Sequence, residues 1–174
     1  LHKAIRRQRQ MCIRDRAGST HPTEEKVLFD VFNEIIKSYP EARLVIAPRK
    51  PGRADEISKL AKQYHWESGF RSKLLEIKGA RSKYPVLLID TIGELGRIYS
   101  VGDVVFVGGS LIKHGGHNVL EPAAHAKPIL VGPNMQNFKD SYALLSKVGA
   151  CKMINNSAEP VSYTHLRAHE TEAD

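Results

Sequence analysis

The chain reads as a doubly wound α/β domain built on a parallel sheet. Short β-branched apolar runs recur without the polar alternation of a half-exposed strand, and each is separated from the next by a stretch of helical spacing. Strands buried on both faces and joined through helices imply a parallel sheet covered on both sides, the layering of Rossmann-like domains. In addition, glycines, charged residues and polar residues gather just after the apolar runs, where an open α/β sheet presents its ligand crevice.

The elements follow in order. A first strand ends at Ser19, Thr20 and His21. Val27, Leu28, Val31, Phe32, Ile35 and Ile36 then mark a helix face, with Glu24 and Glu25 suited to its positive N-terminal end and Pro40 blocking its extension. Ala42 to Pro48 (ARLVIAP) is a buried strand, and Ile57, Leu60, Ala61 and Tyr64 form a second helix face. Pro85 to Asp90 is a strand followed by a short helix from about Gly93 to Tyr99. Asp103 to Ser110 (DVVFVGGS) is the clearest strand. A helix from about Asn118 to His125, a strand at Pro128 to Pro133, a helix carrying Phe138, Tyr142, Leu145 and Val148, and a strand at Ala150 to Ile154 complete the pattern. The polar segment from Trp66 to Lys83 reads as loop with room for one edge strand.

Both ends read as foreign to this pattern. Arg6 to Arg16 (RRQRQMCIRDR) and Val161 to Thr171 (VSYTHLRAHET) back-translate to DNA sharing one element on opposite strands: GTCTCTTATACACATCT in the second is the reverse complement of a string in the first. They resemble the two ends of a transposon-based sequencing adapter. Residues 1–16 and 161–174 are therefore expected to be adapter-derived, with the domain's own sequence spanning 17–160 and truncated at both ends.

This changes what composition implies. The chain carries a formal charge of +7, but setting both ends aside leaves 19 Lys and Arg against 15 Asp and Glu, a net +4. The arginines of the first segment are then no nucleic-acid patch, and no aromatic stacking platform or basic stripe remains, so no nucleic-acid partner is expected. A modest basic surplus suits anionic small molecules. Cys12 belongs to the end segment. Cys151, in an apolar setting, reads as a buried strand residue without a disulfide or zinc framework. No apolar run approaches the roughly 20 residues of a membrane span.

The most specific segment is GGHNVLEPAAHAKP, from Gly115. Gly115 and Gly116 allow close backbone approach to a ligand. The helix start after them offers free N–H groups and a positive dipole end to a phosphate, and Glu121 suits the hydroxyls of a ribose. The plainer alternative is a Gly-rich turn capped by Asn118, with Glu121 serving the helix dipole. Arg49 either pairs with a phosphate or makes a surface salt bridge. Glu94 either meets the ligand or sits as an N-terminal helix charge. Ser19, Thr20 and His21 either line the pocket or cap the following helix. His117, beside two glycines, either lines the pocket or only hydrogen-bonds the backbone, while His65, His114 and His125 read as surface residues.

AGSTHPTEE, APRKP, DTIGELGRIYSVGDVVFVGGSL and GGHNVLEPAAHAKPILVGPNMQNF, in this order and spacing, resemble the C-terminal domain of the bacterial Kdo transferases, which are GT-B glycosyltransferases. The resemblance covers nearly all of residues 17 to 160. It implies binding of CMP-Kdo, the CMP-activated form of 3-deoxy-D-manno-octulosonic acid, and transfer of Kdo to a lipid A precursor in lipopolysaccharide synthesis. It implies CMP contacts from Pro48, Arg49, Ile92, Gly93, Glu94, Asn118, Val119, Leu120 and Glu121, with Ser19, Thr20, His21, Gly115, Gly116 and His117 as further pocket residues. It also implies no metal and no cofactor besides the donor. The carboxylate base, the acceptor site and the membrane association would lie in an N-terminal half, at the cytoplasmic face of the inner membrane, so the chain alone is expected to be inactive. One departure is Val119, where the family pattern has proline, which would pre-set a helix start. The alternatives are the donor domain of a GT-B enzyme using a UDP-sugar, and a non-catalytic nucleotide-binding module.

Overall fold

The computed structural model describes residues 14–74 and 84–155. The end segments 1–13 and 161–174, and part of the polar linker at 75–83, lie outside the described residues.

Seven strands form one sheet in which every neighbouring pair is parallel. They are β1 (Arg14–Thr20), β2 (Arg43–Pro48), β3 (Ser68–Phe70), β4 (Val86–Leu88), β5 (Val104–Val107), β6 (Ile129–Val131) and β7 (Cys151–Met153), in the spatial order β3-β4-β2-β1-β5-β6-β7. The helices are α1 (Glu24–Ser38), α2 (Ala54–Gln63), α3 (Arg71–Leu74), α4 (Leu95–Ser100), α5 (Leu120–Ala123) and α6 (Lys139–Lys147). The predicted elements are all present, and the edge strand allowed for in the linker is β3. Two helices are shorter than expected: α4 starts at Leu95, and α5 is a single turn.

Burial on both faces follows from the residue alternation within each strand. Ala17, Leu44, Ile46, Val86, Leu88, Val104, Phe106 and Leu130 face Phe29, Phe32 and Ile35 of α1 and Ile57 and Ala61 of α2. Complete burial of side chains of this size contributes about 1.5–3 kcal/mol each, so α1 anchors this layer. On the other face, Val105, Val107, Ile129, Val131 and Cys151 pack with Tyr99, Val119 and Met135, and Val45, Ala47 and Ile89 pack with Leu95 and Ile98 of α4. Trp66, read from sequence as part of a polar loop, packs edge-on against Phe29 and Phe32 and stacks on Tyr64 at 5.2 Å. Pattern analysis misses it because a lone aromatic in a polar run has no period.

The first strand runs further back than Ala17. Asp15 pairs with Leu44 and Val104, and Arg16 with Val45 and Val105, because the ladders of β2 and β5 extend that far. Charged residues thus occupy positions between apolar neighbours. Asp15 Oδ1 is sealed from solvent without a hydrogen-bond partner, and burial lifts the Asp15 carboxyl to about 7.

After β1 the chain winds outward through β2, and after β4 it returns to the far side of β1 to lay down β5. The connections leaving β1 and β5 therefore run to opposite halves of the sheet, which makes the carboxyl ends of these two strands the topological switch point where open α/β sheets bind ligands.

Candidate functional site

The loops at the switch point are held together by one buried carboxylate. Glu24, at the start of α1 and 1 % exposed, accepts the backbone N–H groups of His21 (3.0 Å) and Gly109 (2.8 Å) on Oε2. Its Oε1 accepts those of Ser110 (3.1 Å) and Leu111 (3.0 Å). The β1 and β5 loops are thereby tied to each other through a side chain of the helix between them. Glu25, equally buried, accepts the Thr20 hydroxyl at 3.0 Å and pairs with Arg53 at 2.8 Å. Sequence reasoning assigned both glutamates to the helix dipole alone. Nothing local marks their further roles, because Gly109, Ser110, Leu111 and Arg53 lie far away in sequence.

Close approach of the two loops requires glycine. A Cβ on Gly108 would lie 2.3 Å from the Ser19 carbonyl oxygen, and Gly109 adopts φ +68°, a backbone conformation that L side chains rarely take. The β5 loop then folds back, with the Gly116 N–H donating to the Gly109 carbonyl at 2.8 Å.

Several expected site residues occupy other roles. Gly115 and Gly116 were expected to admit a ligand, yet the side from which a Cβ would project faces Asn137 and Met135 respectively. Both glycines are buried because the loop after β6 packs onto this turn, where Asn137 donates its backbone N–H to the Gly115 carbonyl and its side-chain amide to that of His114. The Thr20 hydroxyl is committed to Glu25, and Thr20 is fully buried. Val119 is 0 % exposed, its main chain buried in the core together with its side chain. Asn118 Oδ1 accepts the Leu120 N–H at 2.9 Å just ahead of the Val119 N-cap, and the helix that follows is one turn long. A macrodipole argument has little force there.

Other expected residues do present themselves at the strand ends. Pro48 is buried at the end of β2, and the Arg49 N–H bonds the Thr20 carbonyl at 2.9 Å, leaving the guanidinium exposed. Ile92 is 89 % and Leu120 46 % exposed, apolar surfaces on the loops after β4 and β5. Gly93, at φ +84°, has open space where a side chain would project. Glu121 is exposed, with its Oε1 3.2 Å from the Cβ position of Gly96, so it lies over the start of α4. Glu94 is engaged by Arg71 (2.9 Å) and by the Thr91 hydroxyl, which hold its carboxyl below the usual range. Arg71 lies at the edge-strand end of the polar linker and escaped notice for that reason.

Three histidines converge at the switch point. His21 Nε2 lies 2.8 Å from His117 Nε2, their rings stack at 5.1 Å, and the His114 ring lies 4.3 Å from His21 and 5.0 Å from His117. Burial lowers the His117 pKa to about 4, helped by His21, His114 and Arg49. Burial also lowers that of His21, with His114 and Arg49 adding to the fall and Glu24 and Glu25 opposing it. His114, read as a lone surface residue, is part of this group although its side chain is exposed.

An all-parallel sheet with its crevice at β1 and β5 defines the chain as a C-terminal domain of GT-B glycosyltransferase type. It superposes with TM-score 0.83 and 28 % identity on the C-terminal CMP-Kdo binding domain of WaaA from Acinetobacter baumannii, covering 94 % of this chain and 84 % of that one. The C-terminal domain of the glycosyl transferase group 1 protein LpcC from Francisella tularensis, at TM-score 0.52 and 12 % identity over 92 % of this chain and 77 % of that one, shares the fold.

The chain's homologues are the 3-deoxy-D-manno-octulosonic acid transferases. It is 34 % identical to that of Haemophilus influenzae over 143 residues, 82 % of this chain and 33 % of the relative. It is 32 % identical to that of Aquifex aeolicus over 146 residues, 84 % of this chain and 39 % of the relative. The chain thus spans between a third and two fifths of the length of these relatives. No family model matches it. Among the described residues no helix is long and apolar enough to cross a membrane.

Proposed function

We propose that this chain is the donor-binding part of a Kdo transferase, holding CMP-Kdo in the crevice so that Kdo passes to a lipid A precursor. One observation carries the reading. The loops after β1, β2, β4 and β5 open on the same sheet edge, and Arg49, Ile92, Leu120 and Glu121 stand exposed there. Arg49 supplies a fixed positive charge for the phosphate. Ile92, Gly93, Asn118 and Leu120 form the face against the nucleoside, with Val119 buried behind them. Glu121 accepts from ribose hydroxyls, and Glu94, set by Arg71, borders the base. His21 and His117, with Ser19 beside them, border the sugar end.

The acceptor site, the catalytic base and the attachment to the inner membrane are assigned to the part of the full-length relatives that this chain does not span. The domain's own residues on this reading are 17–160, the donor is the only small molecule required, and no nucleic acid takes part.

Calorimetric titration of the chain with CMP and with UMP tests the reading. Binding of CMP at least tenfold tighter than UMP is expected. Equal binding would favour a UDP-sugar enzyme, and no binding of either would remove the nucleotide reading. The chain alone is expected to show no acceptor-dependent release of CMP from CMP-Kdo, since holding two reactants together accounts for about 7–11 kcal/mol of such a barrier.

A further inference from the structure

We propose that His21, His114 and His117 form a three-imidazole site for a divalent transition-metal ion of the zinc or cobalt class, with one coordination position open to the crevice between β1 and β5. One ligand nitrogen from each ring can be chosen so that all lie within 4.8 Å of one another. A tetrahedral ion with bonds of about 2.0–2.1 Å would space its nitrogens about 3.3 Å apart, so the ion would replace the 2.8 Å His21–His117 hydrogen bond and draw the His114 ring inward.

Gly109 makes room for two of the rings. The point where its Cβ would lie is 3.1 Å from His117 Nε2 and 3.3 Å from His114 Nδ1. The edges of both rings therefore pack against the bare backbone of Gly109, where a side chain would push them away. The loops bearing the three rings are fixed relative to each other by the Glu24 carboxylate, which binds the main chain of both. Closing such a site orders little that is not already ordered.

The donor set selects the ion. Three imidazoles without a free carboxylate suit zinc, cobalt, nickel or copper, whereas magnesium and calcium require oxygen ligands. The nearby carboxylates are committed, Glu24 to four N–H groups and Glu25 to Thr20 and Arg53. Neutral imidazoles leave the ion's double charge uncompensated, and the positive charge of Arg49 acts on the same rings. The open position is therefore suited to an anionic oxygen. Ion binding is measured without nucleotide, so it stands or falls separately from the donor reading.

The experiment is a cobalt(II) titration of the 174-residue chain, following visible absorption, with zinc added afterwards to displace the cobalt. One equivalent is expected to give the bands of a tetrahedral or five-coordinate ion, which zinc then removes. His114→Ala, at an exposed position, and His117→Ala should each weaken cobalt binding at least tenfold, with far-ultraviolet circular dichroism unchanged for His114→Ala. His125→Ala should bind as the parent does. Absence of the bands overturns the proposal. So does their persistence in a variant lacking all three rings, which would place the ion on the chain's other histidines.

Discussion

Glu24 accepts the backbone N–H of Gly109 at 2.8 Å, joining the first turn of α1 to a loop 85 positions away. The same carboxylate accepts three further N–H groups, so a single side chain ties the β1 and β5 loops together. Glu24→Gln turns one acceptor into a donor that faces other donors. Leaving buried donors unsatisfied costs about 1–3 kcal/mol each. A loss of about 3 kcal/mol in urea unfolding is expected, with faster amide exchange at Gly109, Ser110 and Leu111. An unchanged midpoint would show that the loops hold themselves.

Arg49 and Glu121 stand exposed on opposite sides of the switch point. Loss of a hydrogen bond to a charged group costs about 1.5–3 kcal/mol, roughly ten- to a hundredfold in affinity. Arg49→Ala and Glu121→Ala should each weaken CMP by at least tenfold in calorimetry. Parent-like binding by both would move the nucleotide elsewhere.

Asp15 makes stability depend on pH in a distinctive direction. Its carboxyl titrates near 7 in the fold, against 3.8 as the ordinary value. Between those values the unfolded chain has released a proton that the folded chain keeps, so stability falls as pH rises from about 4 through 7. Asp15→Val, matching its neighbours Leu44 and Val104, should raise the urea midpoint and flatten that fall. A midpoint that stays level across the window in the parent would contradict the burial of Asp15.

Cys151 is buried on β7, and burial pushes its thiol up to about 12. In a Cys12→Ser variant no thiol should react with a disulfide reagent until the chain is unfolded, since the thiolate is the reactive form. Prompt labelling of the folded variant would mean that β7 opens readily.

The alternating order of strands and helices, and the residues gathered at the carboxyl ends of the strands, were legible in the sequence because both depend on local periodicity and on the residues that end each strand. Val104–Val107 declares itself as a buried strand without any knowledge of its neighbours, and Arg49, Ile92 and Glu121 fall at strand ends as expected. What tertiary structure decided was the partner of each polar group. Gly115 and Gly116 look the same in sequence whether they admit a ligand or the side chains of Asn137 and Met135. Glu24 looks like a helix-dipole residue until β5 is laid beside β1. His21 and His114, 93 positions apart, meet only because the strand order places their loops on either side of one crevice. Such pairings cost loop-closure entropy and are held by contacts that no local pattern encodes.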